Sequence, residues 1–266
     1  METVSVIIPT WNRAATIVQA VKSALNQSHS VLEVLVCDDG STDDTYKLVE
    51  AIGDGRVKII GGPRAGRPAI PRNRGIAQAK GEWIAFLDSD DLWLPAKIQK
   101  QLESIKKNNS KASCTDAYRV LPGKGRATAY LNLKTEKISF DELIRTNYVI
   151  CSSAMLHRSV LDKIKGFPEE ENLKAIEDYA LWLRVSTITD FAYVTEPLVD
   201  YNDDAANSIR VNAKENVQRE AVMRNFFDWS QANNVDAAKK NRIKKALRMA
   251  MKNNGRSFYE RLTLKP

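Results

Sequence analysis

The chain has 266 residues, 43% of them hydrophobic, and carries 40 Lys and Arg against 33 Asp and Glu, a net charge of +7. That composition excludes a disordered or fibrous protein and suits one large domain, or a domain with an appendage. The excess charge is local: residues 213–266 hold thirteen basic and five acidic side chains, whereas residues 1–212 hold 27 basic and 28 acidic. No recognised nucleic-acid module accompanies the basic tail, so nucleic acid is not an expected partner.

Cys37, Cys114 and Cys151 are far apart and form no metal-ligand or redox spacing, which fits buried thiols in a reducing compartment. No apolar run approaches the roughly 20 residues that span a bilayer. The opening "METVSVIIPT" has no charged-then-apolar signal pattern. A soluble cytoplasmic protein is expected.

In chain order, short apolar, β-branched runs at Val4–Ile8, Val34–Cys37, Val57–Ile60 and Trp83–Leu87 predict strands. Helix-compatible stretches lie between and after them, near Ala14–Asn26, Asp43–Ile52, Ala69–Ala79 and Pro95–Lys107. Strands alternating with helices predict an α/β fold with a mostly parallel sheet covered on both faces, and the unbroken apolar runs agree. In "DDGSTDDT", Gly40 supplies an unusual backbone angle and Ser41 or Thr42 a helix N-cap. Further on, "LPGKGRATAY" reads as a hairpin turn, "CSSAMLHRSVL" as a strand running into a helix, and "FAYVTEPLVDYN" as a strand pair. Ala175–Thr187 has helical spacing through Ile176, Tyr179, Ala180 and Leu183. The tail predicts two helices parted near "ANNVD", packing through Val217, Phe226, Phe227, Ile243 and Leu247.

Ligands of parallel α/β sheets bind at the carboxyl ends of the strands. Three polar stretches fall there: "IIPTWN", "CDDGS" and "FLDSDD". Adjacent hard carboxylates suit a hard divalent cation such as Mg²⁺ or Mn²⁺, shared with substrate phosphates, and a carboxylate also accepts from ribose hydroxyls or a pyrimidine N–H. There is no P-loop, and "GGPRAGRP" is not read as opening a helix in the manner of a dinucleotide fingerprint. Phosphates are therefore expected on the metal, with help from one of Arg72 and Arg74, which diverge on a helix.

Four ordered stretches, "VSVIIPTWNR", "VLVCDDGSTDDT", "PRNRGIAQAKGEWIAFLDSDDLWLP" and "EDYALWLR", resemble the motifs of family 2, GT-A fold glycosyltransferases over about residues 3 to 209. The resemblance implies a Rossmann-like GT-A domain over 1–212 with a helical extension over 213–266. It also implies an inverting transferase that moves a sugar from a nucleotide diphosphate sugar, of UDP type, to an acceptor hydroxyl in surface polysaccharide or lipid-linked glycan synthesis. Residue by residue it places Pro9 and Thr10 under the nucleotide, Asp39 on the base and Arg72 beside the nucleotide. Asp88 goes to the ribose and the metal, Asp90 to the metal, Asp178 to the general base, and Glu177 and Trp182 to the acceptor and sugar side. Asp91 extends the acidic patch from behind.

Two departures accompany the match. Where many relatives have Y-R-x-H-x-x-S, this chain has "YNDDAANS", so Asp204 stands at the His position and Asn202 at the Arg. The processive synthases' Q-x-x-R-W signature and membrane helices are absent from this sequence, which favours single addition. Trp93 is a further candidate for stacking on a sugar, His157 for approaching an acceptor, and His29 is expected in solvent. Lys239, Lys240, Arg242, Lys244, Lys245, Arg248 and Lys252 share one predicted helix with Ile243, Leu247 and Met251. Such a helix suits peripheral contact with the anionic inner face of a membrane, or packing on the domain with a solvated basic face. The competing readings are a sugar-phosphate nucleotidyltransferase and a nucleotide-sugar-binding domain without catalysis.

Overall fold

A computed structural model describes residues 2–121, 123–203 and 215–255. Four strands, β1 (Val4–Thr10), β2 (Glu33–Asp38), β3 (Val57–Ile60) and β4 (Trp83–Phe86), form the parallel half of the sheet in the order β3-β2-β1-β4. Helices α1 (Ile17–Leu25), α2 (Thr45–Glu50) and α3 (Ala69–Gln78) connect them. Side chains alternate between faces: Ile7, Leu35, Ile84 and Phe86 enter one core, and Val6, Ile8, Val34, Val36 and Ala85 enter the other. Both faces are covered, which is why these strands read as continuous apolar runs.

The second half departs from a parallel sheet. A short β5 (Leu92–Trp93) precedes α4 (Lys97–Asn108) and β6 (Ala112–Leu121). β6 turns back into β7 (Gly125–Ala129), the predicted hairpin. β8 (Lys137–Ile138) and α5 (Phe140–Leu143) follow, then a 3-10 turn at Cys151–Ser153, β9 (Met155–His157) and α6 (Arg158–Ile164). β9 runs antiparallel between β4 and β6 and so joins the two halves. A second 3-10 turn (Glu171–Leu173) leads into α7 (Glu177–Val185). β10 (Phe191–Asn202) lies parallel to β6.

Four local expectations need correction. "FAYVTEPLVDYN" is one strand rather than a pair; its register slips on either side of Pro197, where a missing N–H is tolerated at a bulge. Ser41 and Thr42 do not cap α2, whose N-cap is Asp44. Instead the Asn12 amide donates to Ser41 Oγ at 2.9 Å and the Thr42 amide to Asn12 Oδ1 at 2.8 Å, latching the loops after β1 and β2 together. Residues 61–68 do lead straight into α3, with Pro68 as its N-cap. Val217 is 51% exposed rather than packed.

The tail helices α8 (Glu215–Ala232) and α9 (Ala237–Asn253) bring Met223, Phe226, Phe227, Ile243, Leu247 and Met251 into the same core as Phe140, Trp182 and Phe191. Their apolar side is therefore filled by the domain. α3 sits close against the sheet through Gly75, where an added Cβ would lie 2.5 Å from Cys37 Sγ. That contact fixes the helix that carries Arg72.

Candidate active site

The carboxyl ends of β1, β2 and β4 open into a cleft of about 650 Å³. Its walls include Pro9, Thr10, Asp39, Arg72, Asp88 and Asp90 from the strand ends and α3, and Glu177 and Asp178 from α7. Most of the residues singled out from sequence thus meet in one place. Asp204 lies outside the described residues.

Each carboxylate has a different environment. Asp38 holds the turn after β2, accepting from the amides of Gly40 at 3.0 Å and Ser41 at 2.9 Å, with Gly40 at φ +78°. Its neighbour Asp39 faces the cleft and accepts from the amides of Ala65 (2.9 Å) and Gly66 (2.8 Å) and from Arg64 Nη1 (2.6 Å). Arg64 also lies over the Trp11 ring at 3.6 Å. Asp91 is 1% exposed and faces inward: it accepts from Ser152 Oγ at 2.5 Å and from the Asn202 amide at 2.7 Å, tying the acidic loop to β10. Burial, then the charges of Asp88 and Asp90, hold its carboxyl well above the usual range.

Asp88 and Asp90 remain for a ligand. Asp88 accepts from Arg72 at 2.6 Å, and Asp90 lies 3.5 Å from Arg13. Burial and the like charge of Asp88 push Asp90 up. A divalent cation would relieve that repulsion, and two hard carboxylates beside an open cleft suit an ion completed by diphosphate oxygens and water. Among the described residues no three His, Cys, Asp or Glu side chains gather as a closed metal centre.

Arg72 joins α7 to the loop after β4. Its guanidinium is 5% exposed and spans Glu177 on α7 (Nη1, 2.5 Å) and Asp88 (Nη2, 2.6 Å). The sequence places Arg72 on the nucleotide; here its terminal nitrogens are engaged by carboxylates. Arg74 lies 3.8 Å from Asp39 but does not line the cleft, so of the two arginines of "PRNRG" only Arg72 reaches it, as their divergence on a helix predicts. Next to Glu177, the half-buried Asp178 accepts, among the described residues, only from the following amide, Tyr179 N, at 2.7 Å. Burial, then the Glu177 charge, raises its carboxyl to about 7.

Three aromatic and histidine candidates fall away. Trp182 is fully buried, with Phe86, Phe167 and Phe191 around it, and belongs to the core rather than to the sugar side. Trp93 is 4% exposed and its indole donates to Ser152 O at 2.7 Å. His157 pairs across from Trp83, at the start of β4 and away from the cleft. His29 is half-buried, its Nε2 2.8 Å from Glu2 O. Sequence reasoning missed Arg13, Arg64 and Ser152, which hold the acidic loops by tertiary contacts that no local spacing announces.

The Glycosyl transferase family 2 description matches residues 5–165. Escherichia coli WfaP, a UDP-Glc:alpha-D-GlcNAc-diphosphoundecaprenol beta-1,3-glucosyltransferase, is 32% identical over 227 residues, covering 85% of this chain and 87% of that protein. E. coli WfgD, of the same described activity, is 30% identical over 224 residues, covering 84% and 81%. Among solved structures, S. aureus TarS 1–349 superimposes with a TM-score of 0.73 at 22% identity, over 99% of this chain and 75% of TarS. The same protein in complex with UDP-GlcNAc gives 0.76 at 21% identity, over 94% and 71%. The matched span and the identity carried across most of both chains show that this protein belongs to glycosyl transferase family 2 and is a glycosyltransferase with the GT-A fold.

Proposed function

We propose that the protein is a single-addition, inverting glycosyltransferase that moves a sugar from a UDP-sugar to a hydroxyl of a lipid-linked glycan acceptor. The observation that carries this reading is that one cleft gathers Asp88 and Asp90 from the loop after β4 with Asp178 of α7, whose carboxyl is raised. Asp178 takes the proton from the acceptor hydroxyl as its oxygen attacks the anomeric carbon. The bond from that carbon to the diphosphate oxygen breaks, and the nucleoside diphosphate leaves on the opposite side. Asp88 and Asp90 would hold a divalent cation, Mn²⁺ or Mg²⁺, which offsets charge on the departing diphosphate. The acceptor class is supported by WfaP and WfgD, whose described acceptor is a diphosphoundecaprenol-linked sugar. No observation favours nucleotidyl transfer or a binding-only role.

Calorimetry tests the donor side. UDP is expected to bind at least about tenfold more tightly with Mn²⁺ than without, and Asp90→Ala to erase that difference. Metal enhancement that persists unchanged in the variant removes Asp90 from the metal site.

The exposed basic face of α9, including Lys245 and Lys252, fits peripheral contact with an anionic bilayer on the cytoplasmic side, where a lipid-linked acceptor would be presented. Vesicles containing about one-third phosphatidylserine are expected to sediment the protein at low salt. Lys245→Glu/Lys252→Glu should release it while its melting temperature is kept. Equal sedimentation with uncharged vesicles would refute the electrostatic contact.

A further inference from the structure

A second cavity, of about 280 Å³, lies between the turn at Glu171–Leu173, the later part of α7 and α8. It shares no lining residue with the catalytic cleft, and its size is near the lower end, roughly 300 Å³, of small-molecule sites. Arg184 projects into it from α7. The residue is 7% exposed; the Glu170 charge acts on it, but among the described residues no carboxylate forms a direct ion pair with it. Its Nη2 donates to Asn225 Oδ1 at 2.8 Å, its Nε has no partner, and its carbon lies 5.4 Å from the Trp229 ring centre. Burial lowers Arg184 to about 10. A buried cation without a direct carboxylate partner is costly, and a ligand oxygen beside the guanidinium would offset part of that cost.

The rest of the lining favours a neutral ligand. Asn225 Nδ2 donates to Glu170 Oε1 at 2.8 Å, and exposed Asn172 and Asp228 complete the polar rim. Arg224 is already engaged by Glu220 at 3.2 Å, so Arg184 faces the carboxylates of Glu170 and Asp228 and an incoming anion would be repelled. Planar amide, carboxylate and guanidinium groups beside a half-buried indole offer donors and acceptors for hydroxyls and a flat face for C–H groups. That is the chemistry of a sugar ring.

Placement links this cavity to the first. Glu170 and Asn172 line it, while Lys174, Ala175, Glu177 and Asp178 of the same segment line the cleft. Arg184 follows Asp178 on α7 by a rise of about 9 Å. We infer that this cavity is an accessory saccharide site that takes a neutral sugar unit of the glycan while another unit occupies the cleft. The sugar binding stands on the cavity alone; the identity of its ligand as the acceptor glycan rests on the proposed function.

The five tryptophans make the test direct. With ¹⁵N-labelled protein held saturated with UDP and diamagnetic Mg²⁺, the Trp229 indole signal, assigned through Trp229→Phe, is followed during titration with glucose, galactose or N-acetylglucosamine to about 50 mM, and separately with sulfate. At least one sugar is expected to move the Trp229 signal saturably with a millimolar midpoint. Arg184→Met and, at the exposed rim, Asp228→Ala are each expected to raise that midpoint at least about fivefold. A Trp229 signal unmoved by all three sugars, or moved by sulfate alone, or responding identically in a folded Asp228→Ala variant, overturns the site. A protein that transfers sugar to a lipid-linked acceptor yet fails this titration loses only the accessory site. One that passes it yet uses no glycan acceptor loses only the proposed function.

Discussion

Asp178→Asn is expected to lower transfer by at least about a hundredfold while UDP-sugar affinity stays within about twofold. The amide preserves the shape at the start of α7 and cannot accept the proton. Asp178 belongs to α7 and not to the loop that carries Asp88 and Asp90, so those two carboxylates keep their own contacts with Arg72 and Arg13 in the variant. Steady-state transfer and UDP calorimetry read the two quantities separately, and normal transfer by the variant would remove Asp178 from the role of base.

The pH dependence follows from the same environment. Burial and Glu177 raise the Asp178 carboxyl to about 7 in the free protein. Below that pH the base is protonated, so kcat/KM should fall about tenfold per pH unit on the acid limb. A cation bound between Asp88 and Asp90 would add positive charge and move that limb downward. Stability has its own sign. The folded-state value is raised above the usual 3.8, so the folded protein holds more protons than the unfolded chain between about 4 and 7. The Asp178 contribution is present in full below about 4 and is lost as pH rises through about 7. Relative to wild type, Asp178→Asn should therefore melt progressively higher between pH 4 and pH 7, with a constant gap above. A gap that does not widen would mean the carboxyl titrates normally.

The parallel half of the fold was legible because both its faces are buried, which leaves unbroken apolar runs, and because its polar residues fall at strand ends. The same logic located Asp39, Asp88 and Asp90. What stayed illegible depends on contacts between distant segments. Trp182 reads as an aromatic one helical turn beyond the base, yet helical periodicity does not say which neighbours will fill the space around it; three phenylalanines do. Asp91 is expected behind the acidic patch and lies there, but its partners, Ser152 and the Asn202 amide, come from segments that no local spacing names. β10 reads as two strands because Pro197 interrupts it, whereas pairing with β6 resumes beyond the bulge.

Arg72 gives the largest expected effect on stability. Its fork spans Asp88 in the loop after β4 and Glu177 on α7, and the Glu177 side chain is only 5% exposed. Removing the cation by Arg72→Met strands a buried carboxylate, a change that typically costs about 3–5 kcal/mol. For a chain of this size that corresponds to a fall in Tm of roughly 6–20 °C. Arg72→Lys should recover little of it, since one ammonium cannot occupy both positions of a planar fork. Adding Glu177→Gln to Arg72→Met removes the stranded charge and should restore part of the lost stability, a coupling that a double-mutant cycle measures. The cycle also decides between the two roles open to this residue. If Arg72 acts by holding α7 to that loop, UDP affinity should recover along with Tm in the double variant. If it contacts the nucleotide, Tm recovers and UDP affinity does not. The geometry favours the first outcome, because both terminal nitrogens are already engaged by carboxylates and the helix bearing Asp178 is clamped to the loop bearing Asp88.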